Sequence, residues 1–252
     1  MIAITRQVPA SIAECQLTHV EREPIDVSRA RQQHAEYEQA LRTVGAQVVQ
    51  LAEEPLLSDS VFVEDTAIVL DEVAVLMRPG APSRRAEVAS VAQALAPLRR
   101  VLEIGGEATI DGGDVLVLGR TLWVGRSSRT NAAGVAQLGA LVAPFGYTVR
   151  AAAVHDALHL KTAVTQVGEG TVLLNPAWVY APLFCDIAVV EVDPDEPFAA
   201  NAVLVNGRVI HSLAFPRTQE RLRARGIDVL GVDASELAKA EGGVTCCSLL
   251  VS

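Results

Sequence analysis

The feature that most constrains this chain is a pair of short β-type runs that occurs four times along it. DSVFVEDTAIVL turns at Asp71-Glu72 into VAVLMR, and DGGDVLVLG turns at Gly119-Arg120 into TLWVGRS. LHLKTAVTQVG turns near Glu169-Gly170 into TVLLNP, and ANAVLVNG turns at Asn206-Gly207 into RVIHS. Asn-Gly is the strongest short hairpin signal, because both residues tolerate the positive φ of a tight turn. With Asp65, Asp114, Lys161 and Asn201 as markers, the steps are 49, 47 and 40 residues, roughly the period of a repeat architecture.

Helical spacing falls between the hairpins. Ser83 is placed to cap a helix through Val88, Val91, Ala92, Leu95 and Leu98, and Asn131 to cap another through Val135, Leu138, Leu141 and Val142. Ser28 to Val44 carries Ala30, His34, Tyr37 and Leu41 on one face, with Gly45 as its stop. Thr218 to Arg225 and Ala234 to Ala240 are shorter candidates. The runs MIAITRQV and GGVTCCSLLVS at the two ends read as strands that together supply a fifth unit. The pattern therefore predicts a strand–strand–helix–strand unit used about five times and closed into a ring. A doubly wound parallel sheet fits poorly, since it needs a helix after nearly every strand, and no Gly-x-Gly-x-x-Gly or P-loop sequence is present.

Composition narrows the function classes. Half of the 252 residues are hydrophobic, enough for a large core, and a net charge of −9 argues against a nucleic-acid partner. No run is apolar enough to span a bilayer, and the first residues show no basic segment followed by an apolar one. Four cysteines with no C-x-x-C pair make a structural zinc site unlikely and point to free thiols in a reducing cytoplasm.

The starts of the first strands are chemically odd. They hold Asp59, Glu64 and Asp65, then Asp111 and Asp114, then His159, and finally Cys246 and Cys247. Acids are poor strand residues, and neighbours in a strand face opposite ways, so Glu64 and Asp65 cannot both be solvated unless the strand lies at an edge or lines a channel. The same alternation allows at most one of Cys246 and Cys247 to be reactive, and Cys15 and Cys185 read as structural. Arg84, Arg85 and Arg129 lie at helix starts, where the macrodipole disfavours cations. Carboxylates suit a cationic head and arginine forks suit a carboxylate tail. A thiol, a histidine and an acid can attack the central carbon of a guanidinium.

These segments, with RPGAPSRRAE, VGRSSRTN, LHLKT, Ala199 to Asn201 and GGVTCCSL, resemble the dimethylarginine dimethylaminohydrolases over nearly the whole chain. That family lies within the guanidino-group-modifying superfamily that includes arginine deiminases. The resemblance implies an α/β five-bladed propeller (the pentein fold) with pseudo-fivefold symmetry, as one catalytic domain over residues 1–252. It implies Cys246 as nucleophile, His159 as acid and then base, and Asp111 as the catalytic acid residue. Asp59, Glu64 and Asp65 would hold the guanidinium, with Asp65 also contacting the amino-acid end. Arg84 and Arg129 would bind the substrate carboxylate, Leu17 would belong to a mobile loop over the site, and the Thr245 carbonyl would meet the substrate amine. No metal or organic cofactor is implied. The partner implied is a methylated arginine, with no nucleic acid and no membrane, and a homodimer is the family expectation. Zinc could still bridge Cys246 and His159. Arginine deiminase, an amidinotransferase and a non-catalytic binder of arginine derivatives stay open as alternatives.

Overall fold

The computed structural model describes Met1–Ser252. Its strands form five separate three-stranded sheets. In each, the first strand runs antiparallel to the second, and the second runs parallel to a third reached by a crossover. The expected unit is thus present five times. The Asn206-Gly207 turn has φ of +49° and +79°, both positive as its sequence requires.

The blade that joins the chain ends closes the ring. Leu249–Val251 pairs antiparallel with Ile2–Arg6, which pairs parallel with Gln47–Leu51 across the helix Val27–Thr43. Asp26 caps that helix by accepting the Arg29 N–H, and Gly45 follows its end at φ +89°. Asn131 caps Ala132–Val142 as expected, accepting the Gly134 N–H at 2.8 Å. The helix expected to start after Ser83 instead begins as a 3-10 turn, Pro82–Glu87, and runs on as Val88–Leu95. In the blade Val164–Glu191 the crossover holds only a 3-10 turn, Ala181–Phe184, with Pro182 in its first turn. The crossover of the blade Ala202–Val232 is the helix Pro216–Ala224.

The apolar core is divided rather than single. Five clusters of buried residues each lie between two neighbouring blades: Ile68 and Val75 with Val115 and Val124, for instance, or Val167 and Leu173 with Ala202 and Val209. Each blade hides both faces against its neighbours, which explains its near-continuous Val, Leu and Ile runs. The five first strands line a central cavity of about 200 Å³. One end of it is floored by Glu64, Lys161 and Thr245, on the side where the strands begin. No helix is long and apolar enough to cross a membrane.

Candidate functional site

The residues that open the inner strands are not themselves in strands. Glu64 and Asp65 lie in a 3-10 turn, Val63–Thr66, and the strand starts at Ala67. Asp111 precedes the 3-10 turn Gly112–Asp114, His159 precedes the short helix Leu160–Ala163, and Cys246 lies within the 3-10 turn Thr245–Cys247. Strand alternation was therefore the wrong reason for separating Glu64 from Asp65 and Cys246 from Cys247. The turns separate them all the same. The turns exist because the chain segments touch. A Cβ on Gly112 would lie 2.0 Å from the Glu64 carbonyl, and one on Gly113 would lie 2.7 Å from both the Asp65 carboxylate and the His159 ring. The double glycine of DGGD is what lets three blades converge here.

His159 is buried and held between acids. Its Nε2 is 3.0 Å from Asp111 Oδ2, and its Nδ1 is 3.9 Å from Asp65 Oδ1. Burial alone would lower its pKa, but Asp65, Asp111 and Asp114 outweigh that and raise it to about 9, so the imidazole carries a proton at neutral pH. Asp114 is wholly buried, and its carboxylate accepts from Ser127 Oγ, Thr130 Oγ1 and the Leu160 N–H. Burial pushes it up to about 6.

Asp111 does not face the pocket. It is fully buried behind His159, with its second oxygen taking the Gly80 N–H at 2.8 Å. Both of its oxygens are engaged, one by the His159 ring and one by that N–H. Glu64 is likewise committed, 2.6 Å from Lys161 Nζ and accepting from Thr245 Oγ1 at 2.8 Å. Its carboxylate borders the central cavity rather than the polar cleft beside Cys246. The Thr245 carbonyl accepts the Ser248 N–H within its own turn. Lys161 and Asn201, which marked only the repeat in the sequence, brace this floor: Asn201 donates to the Thr245 hydroxyl and accepts the Thr245 N–H.

Arg84 reaches the polar cleft beside Cys246 with its guanidinium already engaged. It is 5% exposed, and its guanidinium donates to Asp65 at 2.5 Å, to both Glu87 oxygens and to the Asp59 and Phe62 carbonyls. Despite its burial, the Asp65 carboxyl is held below the usual range by protonated His159 and by Arg84. Asp59 is nudged upward by burial against the pull of Arg84. Arg129 is only partly buried and keeps one guanidinium nitrogen on the Thr18 hydroxyl, so it is the cation with donors to spare at the mouth.

Two cavities meet at Cys246 and His159. One is a small polar cleft lined by Gln16, Asp59, Arg84, Arg129 and Glu241. The other is a mostly apolar chamber of about 240 Å³ that reaches Phe198 and Phe215. Leu17 packs against the core between the blade that joins the chain ends and the blade Ala202–Val232, while Gln16, His19 and Val20 of the same loop line the cavities. Cys246 is half-buried, receives the Gly243 N–H at 3.4 Å, and has its thiol pushed up to about 12 by burial and by the charges of Glu64 and Asp65. A thiol of that kind stays protonated at neutral pH, and positive charge beside it would favour the thiolate. Cys247 is buried in the core beneath, and Cys15 is buried too, whereas Cys185 is exposed; all four are free thiols. Asp65, Asp111 and His159 place their ligand atoms within 4.8 Å of one another.

Known proteins are similar to this chain in sequence and in fold. The sequence profile of the family described as N,N dimethylarginine dimethylhydrolase, eukaryotic, matches residues 4–179. An N(G),N(G)-dimethylarginine dimethylaminohydrolase of Streptomyces coelicolor is 41% identical over 249 residues, covering 98% of this chain and 95% of its own. The structure of a cysteine-to-serine mutant of the Pseudomonas aeruginosa enzyme, complexed with citrulline, superposes with a TM-score of 0.94 at 33% identity, over 98% of this chain and 97% of its own. A dimethylarginine dimethylaminohydrolase carrying a histidine-to-glycine change, an adduct with S-methyl-L-thiocitrulline, gives 0.93 at 32% identity, with 98% of each chain covered. The repeat, the five-bladed propeller and these matches agree: the chain belongs to the N,N-dimethylarginine dimethylhydrolase family.

Proposed function

We propose that this protein hydrolyses Nω-methylated arginines to citrulline, releasing dimethylamine or methylamine. The observation that carries the reading is a thiol and a protonated histidine at one junction, with buried carboxylates around them and a guanidinium at the mouth. The anionic surroundings that keep the Cys246 thiol protonated are the ones a guanidinium seeks. Its arrival offsets them, the thiol proton passes to solvent because His159 is already protonated, and the thiolate attacks the central guanidinium carbon. His159, charged in advance, gives its proton to the departing methylamine or dimethylamine as the C–N bond breaks. That leaves a cationic thiouronium on Cys246 and a neutral His159. His159 then takes a proton from water as the oxygen attacks the same carbon. The C–S bond breaks, the thiolate leaves, the hydroxyl proton of the product passes to solvent and citrulline forms.

In this reading Asp59 and Asp65 offer carboxylates toward the bound cation, and Arg129 takes the substrate carboxylate. Arg84 contributes by fixing Asp65. Asp111 orients His159, and Glu64 and Thr245 form the floor. The citrulline complex and the S-methyl-L-thiocitrulline adduct of the relatives support the amino-acid class of ligand.

The test is citrulline release from asymmetric dimethylarginine, monomethylarginine and arginine in parallel. Turnover of the methylated substrates, lost by at least about 10⁴-fold in Cys246→Ser, is the expected result. Preference for arginine would make the protein a deiminase. Turnover surviving in Cys246→Ser would overturn the nucleophile.

A further inference from the structure

We propose that Glu241 is a positioning residue that latches the loop Gln16–Val20 over Cys246. The inference rests on the reading of Cys246 as the reacting group. The loop has no helix or strand of its own to satisfy its backbone. Three consecutive N–H groups, those of Thr18, His19 and Val20, converge instead on one carboxylate that lies more than two hundred residues away in sequence. Glu241 Oε2 accepts from Thr18 at 2.8 Å, and Oε1 accepts from Val20 at 2.9 Å and from His19. Charge-assisted bonds of this kind are stronger than neutral ones. Other anchors fix the loop at its edges: Asp59 takes the Gln16 N–H, Gln16 Nε2 donates to Ser83, and Arg129 donates to Thr18.

The backbone of Glu241 supplies a second, independent observation. It follows the short helix Ser235–Ala238, and the Gly242 N–H folds back to the Leu237 carbonyl at 3.0 Å. That closure puts Glu241 in the left-handed region at φ +58°. Glycine is the residue suited to that place. Glycine occupies it after three other helical segments of this chain, at Gly45, Gly146 and Gly226. Here a strained glutamate stands instead, and its side chain borders both cavities that meet at Cys246. Strain of this kind persists where a side chain is needed in one place. The latch joins the segment just before Cys246 to the loop above it, so closure of the loop and placement of the thiol are coupled through one residue.

The experiment uses the full-length protein with Glu241→Gln and Glu241→Gly. The glycine variant relieves the backbone strain and removes the side chain, so it separates the latch from folding. Three readouts are compared with wild type: hydrogen exchange at the Thr18, His19 and Val20 amides, alkylation of Cys246 by chloroacetamidine, and KM and kcat for asymmetric dimethylarginine. An open loop predicts opposite signs for small and large ligands. Exchange at the three amides and alkylation both rise, on the order of tenfold, because local opening exposes them. KM rises by a similar factor while kcat changes less. Slower alkylation together with poorer turnover would indicate a damaged site and would overturn the proposal. A raised KM with exchange and alkylation unchanged would make Glu241 a contact for the substrate amine, and would also overturn it. Failure of chloroacetamidine to modify folded wild type would remove Cys246 as the reacting group. The exchange measurement would then decide the latch alone.

Discussion

The two ends of the inner strands are similar in composition and opposite in environment. The trailing turns hold Asp71, Glu72, Arg120 and Glu169, all in or next to water, and Arg120 pairs with Glu72 at 2.7 Å with both side chains more than a third exposed. The leading turns hold Asp65, Asp111, Asp114 and His159, all under 6% exposed. The difference arises from the ring. Five leading turns crowd onto one axis and exclude water from one another, so each charge there must be answered by another charge or by a backbone N–H. At the trailing end solvent answers them. A charged residue beside a strand is therefore uninformative by itself; what matters is which end of the blade it occupies.

Substitutions should separate the two ends by size. Asp65→Asn leaves Arg84 and His159 without their shared counter-charge in a buried place, and unfolding in urea should show a loss of about 3–5 kcal/mol. A loss under about 1 kcal/mol would mean that the leading end is as hydrated as the trailing one. His159 gives the next effect. Its pKa rises from 6.5 on folding to about 9, so its charged form adds stability that is fully present below 6.5 and is lost as the pH climbs through 9. Wild type should exceed His159→Gln by on the order of 3 kcal/mol at acid pH, a gap that closes toward pH 9. A gap that widened with pH would reverse the sign argued for the site. The smallest effect belongs to Glu72→Gln at the trailing end, whose urea midpoint should stay within measurement error of wild type, with any difference shrinking further in high salt.

The chain alone disclosed the repeat, and the reason is local. Asn206-Gly207 can be little but a tight turn, Asn131 offers its side chain to the first N–H groups of a helix, and Gly45 adopts a backbone that other residues resist. Each of these is decided within a few residues, so their spacing exposed the five units and the closure of the ring by the chain ends. The residue types at the strand starts exposed a cluster suited to guanidine chemistry for the same reason: acids amid Val and Ile are costly unless used.

Only the tertiary structure decided which of those residues face the cavity. FVEDTAIV has strand-like composition throughout, yet its first half is a 3-10 turn because the Gly112 backbone presses on the Glu64 carbonyl from another blade. Arg84 looked like a free fork and is spent on Asp65 and Glu87. Asp111 looked like a pocket acid and stands behind His159. Glu241 gave no signal in the sequence, because its partners are the backbone N–H groups of a loop from the far end of the chain, and backbone groups leave no trace in residue identity. Local preference sets elements and turns. The orientation of a buried charge depends on which distant charges and backbone groups it must satisfy once the ring has closed and water has left.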